Sequence, residues 1–253
     1  MSLNLEELCR LMEIDTRPIG VYDAPEPAAF APVVSLRRCV FDHYNDWQNG
    51  ETLEVSGRSR GCPGCGYWMR GVQGFSSKQA FVKFLFEKEG LRASSELMEA
   101  WLDATQPYRS VHGHVMIGPI RDEMTEYLKT VTFYVNPDQM SVLMHGAAHH
   151  AHPDDPLPVL APFGSGCGQM LALFPDLSEP QSIIGATDLA MRGMLPADRL
   201  AFTVTVPMLN RMLSLDPQRS FLGKPFLRKL REARGQVPTI TKGGPDASTS
   251  PSR

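Results

Sequence analysis

Residues 131–147 read VTFYVNPDQMSVLMHGA, and this stretch contains both kinds of element that the fold requires. Its first five residues are all β-branched or aromatic, which favours a strand. Asn136-Pro137-Asp138 then supplies a helix start. The apolar residues that follow recur at helical spacing, at Met140, Leu143, Met144 and Ala147. A strand is therefore predicted to pass directly into a helix here.

The same order returns near the end of the chain, where a strand predicted at 200–206 leads into a helix at 207–215. Elsewhere strands and helices intermingle without a regular βαβ rhythm. This pattern predicts an α+β fold, a mixed sheet with helices packed on it, with α/β as the alternative.

Periodicity and turn signals predict the remaining elements. Ser76 and Ser94 are the expected N-caps of two of the helices. Strands are expected at 18–24, 52–55, 114–117, 158–161 and 181–185, and helices at 3–13, 36–47, 77–89, 94–104 and 222–234, with another entered near Pro63.

Composition bounds the class of protein. The 253 residues are 42% hydrophobic and 21% charged, enough for a sizeable core, and the formal net charge is −3. Because nucleic-acid binders usually carry a basic excess, we expect no nucleic-acid partner. No apolar run reaches the roughly 18 residues of a membrane span, and the first residues lack the layout of a signal peptide. We therefore expect no membrane partner and a cytoplasmic location.

Residues 1–234 are expected to form one domain. Residues 235–253 are polar, rich in Pro, Gly and Ser and free of aromatic residues, so a disordered C-terminal tail is predicted there. The sequence leaves a homo-oligomer open.

Four of the five cysteines lie in segments that suit metal binding or redox chemistry. Cys39 follows two arginines, Cys62 and Cys65 form the GCPGCG turn, and Cys167 lies in GSGCG. Thiolates bind soft or borderline metals, and a Cys-x-x-Cys turn can present two sulfurs to one centre. Neighbouring glycines let backbone N–H groups approach the sulfurs, as around iron–sulfur clusters. The pattern predicts an iron–sulfur cluster or another thiolate-bound metal held by these four cysteines.

Two other interpretations of these cysteines stay open. Cys62 precedes Pro63 at a helix start, where the helix N-terminus would lower its pKa, as a redox-active CxxC dithiol requires. In the other interpretation, these four cysteines are small buried residues in Gly-rich turns. Cys9, on the buried face of its amphipathic helix, is predicted to be a small core residue.

Polar candidates accompany the cysteines. Asp188 and Arg192 lie in the loop GATDLAMRG, where Asp188 could accept a proton and Arg192 could hold an anion. His43 is a further candidate proton carrier. Four arginines lie close to the cysteines in sequence, at positions 37, 38, 58 and 60. Their positive charge would suit an anionic substrate or a negatively charged cluster.

The chain resembles the DUF169 family, a prokaryotic group with no settled function. The resemblance runs from the first helix to about Leu215 and rests on segments that occur in order: RPIGVYDA, RRCVFDHYNDWQNGE, RGCPGCGYWMRG, YVNPDQMSVLM, FGSGCGQM and IIGATDLAMRG. It implies a three-thiolate site at the positions of Cys39, Cys62 and Cys167. At Cys65 the sequence departs from the small residue expected there, so Cys65 is an optional fourth ligand.

The resemblance favours a metal site over a dithiol and supplies no reaction. With three ligands, an open iron could act as a Lewis acid on a small oxygen- or sulfur-bearing substrate, in lyase, hydratase or sulfur-removal chemistry. The alternative is a non-enzymatic cluster or small-molecule-binding protein that serves a redox partner.

Overall fold

The structure is a computed structural model that describes residues 4–36, 39–55, 62–71 and 75–235. It divides into two compact units, Met1–Asp216 and Pro217–Arg253. Within the described residues the strands are β1 (Ile19–Ala24), β2 (Val33–Ser35), β3 (Thr52–Val55), β4 (His114–Pro119), β5 (Leu128–Val135), β6 (Val159–Leu160), β7 (Ser182–Gly185) and β8 (Leu200–Thr205).

The helices of the first unit surround this sheet. They are α1 (Leu5–Leu11), α2 (Tyr44–Gln48), α3 (Pro63–Arg70), α4 (Lys78–Glu87), α5 (Ser95–Ala104), α6 (Pro137–Ala148), α7 (Gly166–Met170), α8 (Leu189–Arg192) and α9 (Val206–Leu213), with short 3-10 helices at Pro27–Phe30, Val40–His43 and Asp122–Tyr127. The second unit contains a 3-10 turn at Phe221–Gly223 and α10 (Pro225–Gly235). The residues after 235, where a disordered tail is predicted, lie outside the described part.

The described strands form one sheet in the order β2-β3-β4-β1-β5-β8-β7-β6. The two outer pairs, β2 with β3 and β6 with β7, are parallel, and the pairs between them are antiparallel. A mixed sheet with helices packed on it confirms the predicted α+β fold.

Successive side chains along a strand point to opposite faces of the sheet, and both faces are buried. On β1, Ile19 and Val21 lie in the core that contains the cysteines, as does Tyr134 on β5. Helices α3 and α7 contact each other in this region. The helices α6 and α9 pack against β5 and β8 through a separate set of apolar residues. The core on the α3 and α7 side is the one that contains the candidate functional site described below.

Local signals explain where most helices begin. Asn136 caps α6 with a capping box completed by Gln139, so the strand-to-helix passage at residues 131–147 is confirmed. Ser94 caps α5, as predicted, but Ser77 rather than Ser76 caps α4, because the Ser77 side chain accepts from the Ala80 N–H.

The helix predicted at 36–47 is wrong. The chain is extended at Cys39, with φ −68° and ψ 147°, and then forms the 3-10 helix Val40–His43 followed by α2. This path buries Val40, Phe41 and Trp47 together in the core. The short parallel strand β2 before it follows a cis peptide bond between Ala31 and Pro32 and was not predicted.

Asp23 on β1 fixes the loop before β4. It has no exposed surface, and its carboxylate accepts hydrogen bonds from Tyr108 Oη (2.7 Å), Ser110 Oγ (2.5 Å) and the backbone N–H groups of Val111 (2.7 Å) and His112 (3.1 Å). Burial alone would raise the pKa of Asp23, but these donors outweigh it and lower the pKa. The charge therefore has a structural role.

Candidate functional site

Three separate segments bring four cysteines to one region of the core. Cys39 precedes the 3-10 helix Val40–His43, Cys62 and Cys65 lie at the start of α3, and Cys167 lies in α7. Helix α3 packs against α7, and all four cysteines belong to or pack against the same apolar cluster. We call these four residues the cysteine site. Cys9 lies apart on α1.

A side-chain hydrogen bond joins Cys65 and Cys167. Cys65 is fully buried and Cys167 is 5% exposed. The Cys65 thiol donates to Cys167 Sγ, which lowers the pKa of Cys167 and raises that of Cys65. Ser165 Oγ, 3.4 Å from Cys167 Sγ, lowers the Cys167 pKa further. Cys167 is thus the sulfur best placed to be a thiolate.

Cys39 and Cys62 complete the group. Burial raises the pKa of Cys39 to about 12, and the nearby Cys167 and Cys62 raise it too. Burial also raises the pKa of Cys62, with Cys167 adding to the effect. Because all four cysteines belong to or pack against one apolar cluster, and α3 contacts α7, the cysteine segments converge in space. The dithiol interpretation paired Cys62 with Cys65, whereas the structure hydrogen-bonds Cys65 to Cys167.

Backbone amides approach three of the sulfurs. The Phe41 N–H favours the thiolate of Cys39, the N–H groups of Gly64 and Cys65 favour that of Cys62, and the Gly168 N–H favours that of Cys167. Such N–H groups stabilise negative charge on sulfur.

Two buried polar atoms beside the cysteines lack a hydrogen-bond partner among the described residues. One is the hydroxyl of Tyr134, a fully buried side chain whose pKa is raised by burial and by its neighbours Tyr44 and Cys39. The other is Oε1 of Gln169, two residues after Cys167. Buried polar groups are rarely left unpaired, so each marks a place where an acceptor or donor is missing. Sequence reasoning missed Tyr134, which reads as an ordinary strand residue.

Among the described residues, the charged groups that act on the thiols are acidic. Glu89 raises the pKa of Cys62, Asp188 that of Cys167 and Asp42 that of Cys39. Burial, followed by the nearby Asp188, raises the pKa of Glu89 itself. Sequence reasoning also missed Glu89, since only the packing of the turn after α4 brings it near Cys62.

The three predicted catalytic residues fall in different settings. Asp188 is half-buried beside Cys167, and its Oδ1 accepts from the Ala190 N–H to cap α8. His43 is buried, with Nδ1 2.7 Å from Asp46 Oδ2 and Nε2 without a partner among the described residues. Arg192 donates to the carbonyl oxygens of Pro196, Ala197 and Arg199, so its guanidinium braces a turn. The arginines at 37, 38, 58 and 60 lie outside the described residues.

Within the described part of the chain, no three His, Cys, Asp or Glu side chains are grouped tightly enough to hold a single metal ion. The same part contains no helix with both the length and the apolar run needed to cross a bilayer. The cysteine site is therefore a sulfur-rich region rather than a preformed cage for one ion.

Comparison with known proteins places the chain in a family. The model of DUF169, described as "Uncharacterised ArCR", matches residues 7–214. The chain belongs to the DUF169 family. All four residues of the cysteine site fall within the matched part. No curated protein and no solved structure matches the chain.

Proposed function

We propose that this DUF169 protein binds an iron–sulfur cluster through Cys39, Cys62 and Cys167, with Cys65 beside them. The observation that supports this most strongly is the convergence of the cysteine segments, since Cys167 is more than a hundred residues away from the other three in sequence. Sulfur is the preferred ligand of iron in such clusters, and the site supplies four. Cys9, the remaining cysteine, takes no part.

The surroundings of the site fit a cluster. Each of the three proposed ligands has a backbone N–H directed at its sulfur, as expected around cluster thiolates. The unpartnered Tyr134 hydroxyl lies beside Cys39, where a ligating thiolate would give it an acceptor. In a cluster the cysteines bind different irons, so their sulfurs stand farther apart than around one ion. A cluster therefore does not require the tight grouping of side chains that a mononuclear site needs.

The residues around the site suit catalysis on a small molecule. A three-cysteine cluster, when bound, supplies an iron with an open position that can act as a Lewis acid on an oxygen- or sulfur-bearing substrate. The carboxylates of Glu89 and Asp188 act on one another electrostatically, and burial raises the pKa of Glu89, which favours its protonated form. Such a pair can divide the roles of proton donor and acceptor. We assign lyase, hydratase or sulfur-removal chemistry to this arrangement.

Serine substitutions test the ligand set. Cys39→Ser, Cys62→Ser and Cys167→Ser should each lose most of the bound iron, because a serine oxygen is a poor ligand for a thiophilic cluster. Cys9→Ser is the matched control, since Cys9 is a half-buried cysteine on α1, and it should keep the wild-type iron content. The measurement is iron and sulfide per chain after anaerobic purification. Unchanged iron in Cys167→Ser would contradict the proposal.

The Cys65→Ser variant distinguishes a catalytic cluster with an open iron from a non-enzymatic cluster with four thiolate ligands. If Cys65 only donates a hydrogen bond to Cys167, serine keeps a donor there and the cluster remains, as we expect for an open site. Loss of iron would make Cys65 the fourth ligand. A closed four-thiolate cluster favours electron transfer with a redox partner protein over catalysis.

The hydrogen bond between Cys65 and Cys167 favours a second candidate function, that of a metal-free dithiol. The Cys167 thiolate could attack a substrate disulfide and release one thiolate, after which Cys65 would displace the second sulfur and leave a Cys65–Cys167 disulfide. The two cysteines are almost fully buried, which limits access and makes this the second choice. It predicts disulfide reductase activity without iron, with dithiothreitol as the regenerating reductant, and loss of that activity in Cys65→Ser.

A further inference from the structure

A cleft of about 910 Å³ opens on the first unit away from the cysteine thiols. Its walls come from the end of α5, the loop through Tyr108, the turn at Phe163 and the segment after α7. The volume lies within the range of sites for small organic ligands. None of the four residues of the cysteine site lines the cleft.

Arg92 lines the cleft and packs against two aromatic side chains of its wall. Its guanidinium lies 3.8 Å from the centre of the Phe163 ring and 5.8 Å from that of Trp101. The two rings meet edge to face, with centroids 5.2 Å apart. Stacking on an aromatic ring holds a guanidinium flat and fixes the direction of its N–H donors.

The stacked guanidinium has one donor without an acceptor in the part of the chain that the structure describes. Arg92 Nε is buried and has no hydrogen-bond partner among the described residues. Arg109, also in the cleft wall, is exposed to solvent. The acidic residue of the wall, Asp176, is already hydrogen-bonded to the Ser178 N–H (2.8 Å) and Oγ (2.7 Å). The cleft wall therefore carries two arginines and one carboxylate, a net positive charge.

We infer that this cleft binds a small organic anion that has a planar apolar body. The Arg92 guanidinium would hold the carboxylate or a similar anionic group through two N–H donors, with Arg109 adding positive charge. The planar part would lie against Trp101 and Phe163, which are exposed enough to receive it. The inference does not depend on the cluster, because the two sites share no residue.

Benzoate is the probe that tests the inference, with binding followed by isothermal titration calorimetry. Benzoate should bind saturably, whereas benzamide, a neutral molecule of the same shape, and acetate, which lacks the ring, should bind at least about tenfold more weakly. Equal binding of benzoate and benzamide would overturn the assignment of an anion site. So would the absence of any saturable benzoate binding.

Two variants locate the site. Arg92→Gln should weaken benzoate binding by about tenfold or more, because it removes the charged donor. Lys88→Gln is the matched control, as it removes one positive charge from the exposed end of α4, outside the cleft, and should bind benzoate like the wild type. Retained affinity in a folded Arg92→Gln protein would contradict the inference, and the benzamide comparison decides the matter if that variant fails to fold.

Discussion

Asp15 links three parts of the first unit through one carboxylate. Arg199 holds it with two bonds, Nη1 to Oδ1 at 2.6 Å and Nη2 to Oδ2 at 2.7 Å, and Gln139 Nε2 donates to Oδ1 at 3.0 Å. The hydrogen bond from Arg199 is the main cause that lowers the pKa of Asp15 from 3.8 to about 2. The pair connects the segment after α1 to the start of β8.

This lowered pKa predicts how acid affects stability. Since the folded state binds the Asp15 proton more weakly than the unfolded state, its stabilisation is complete above pH 3.8 and is lost as the pH falls towards 2. The difference in unfolding free energy between wild type and Asp15→Asn should therefore be constant near neutral pH and shrink between about pH 4 and 2. Urea unfolding at several pH values measures it, and a difference that grows on acidification would show that the ion pair does not act this way.

At the scale of single residues, the sequence indicates chemistry but not contacts. The glycine-rich turns single out Cys62, Cys65 and Cys167 as candidate ligands, and the family resemblance includes Cys39. The partner of Cys65, the nearness of Glu89 and the unpartnered Tyr134 hydroxyl arise from packing between distant segments. No local pattern encodes them.

At the scale of elements, a glycine sets the distance between two cysteine segments. A Cβ on Gly166 in α7 would lie 2.8 Å from Cε2 and 2.9 Å from Cζ of Phe41, and 3.2 Å from Met191 Cγ. Phe41 is buried and belongs to the 3-10 helix that follows Cys39. The absence of a side chain at Gly166 therefore lets α7 approach the Cys39 segment.

Gly166→Ala should lower the unfolding free energy by about 1–3 kcal/mol, because the added methyl group overpacks a rigid aromatic contact. It should also reduce the iron content if the cluster is present, since Cys167 would move away from Cys39. Gly193→Ala is the control: it ends α8 with helical φ and ψ, nothing lies within 4 Å of its added Cβ, and its stability should change little. Equal stability of both variants would show that the contact with Phe41 is not tight.

The elements also show which signals are reliable. Capping residues and strand-to-helix passages predicted α4, α5, α6 and α9 to within a few residues, because those signals are local. Periodicity and turn signals predict one helix at 36–47. Its path is set instead by tertiary burial of Val40, Phe41 and Trp47.

At the scale of the whole molecule, the order of strands could not be predicted. Of the seven neighbouring pairs in the described sheet, three join strands that are not consecutive in the chain: β1 with β4, β1 with β5, and β5 with β8. The α+β class follows from the irregular succession of elements, whereas the sheet order depends on long-range pairing. That pairing and the helices above it bring Cys39, the α3 cysteines and Cys167 together.

The central claim is that the assembled cysteine site holds an iron–sulfur cluster. The most direct test is a visible absorption spectrum, with iron and sulfide analysis, on wild-type protein purified without oxygen and then incubated with ferrous iron and sulfide. We expect a brown protein with thiolate-to-iron charge-transfer absorption and about two or about four irons per chain, with matching sulfide. A folded protein that remains colourless and free of iron after this treatment would contradict the claim.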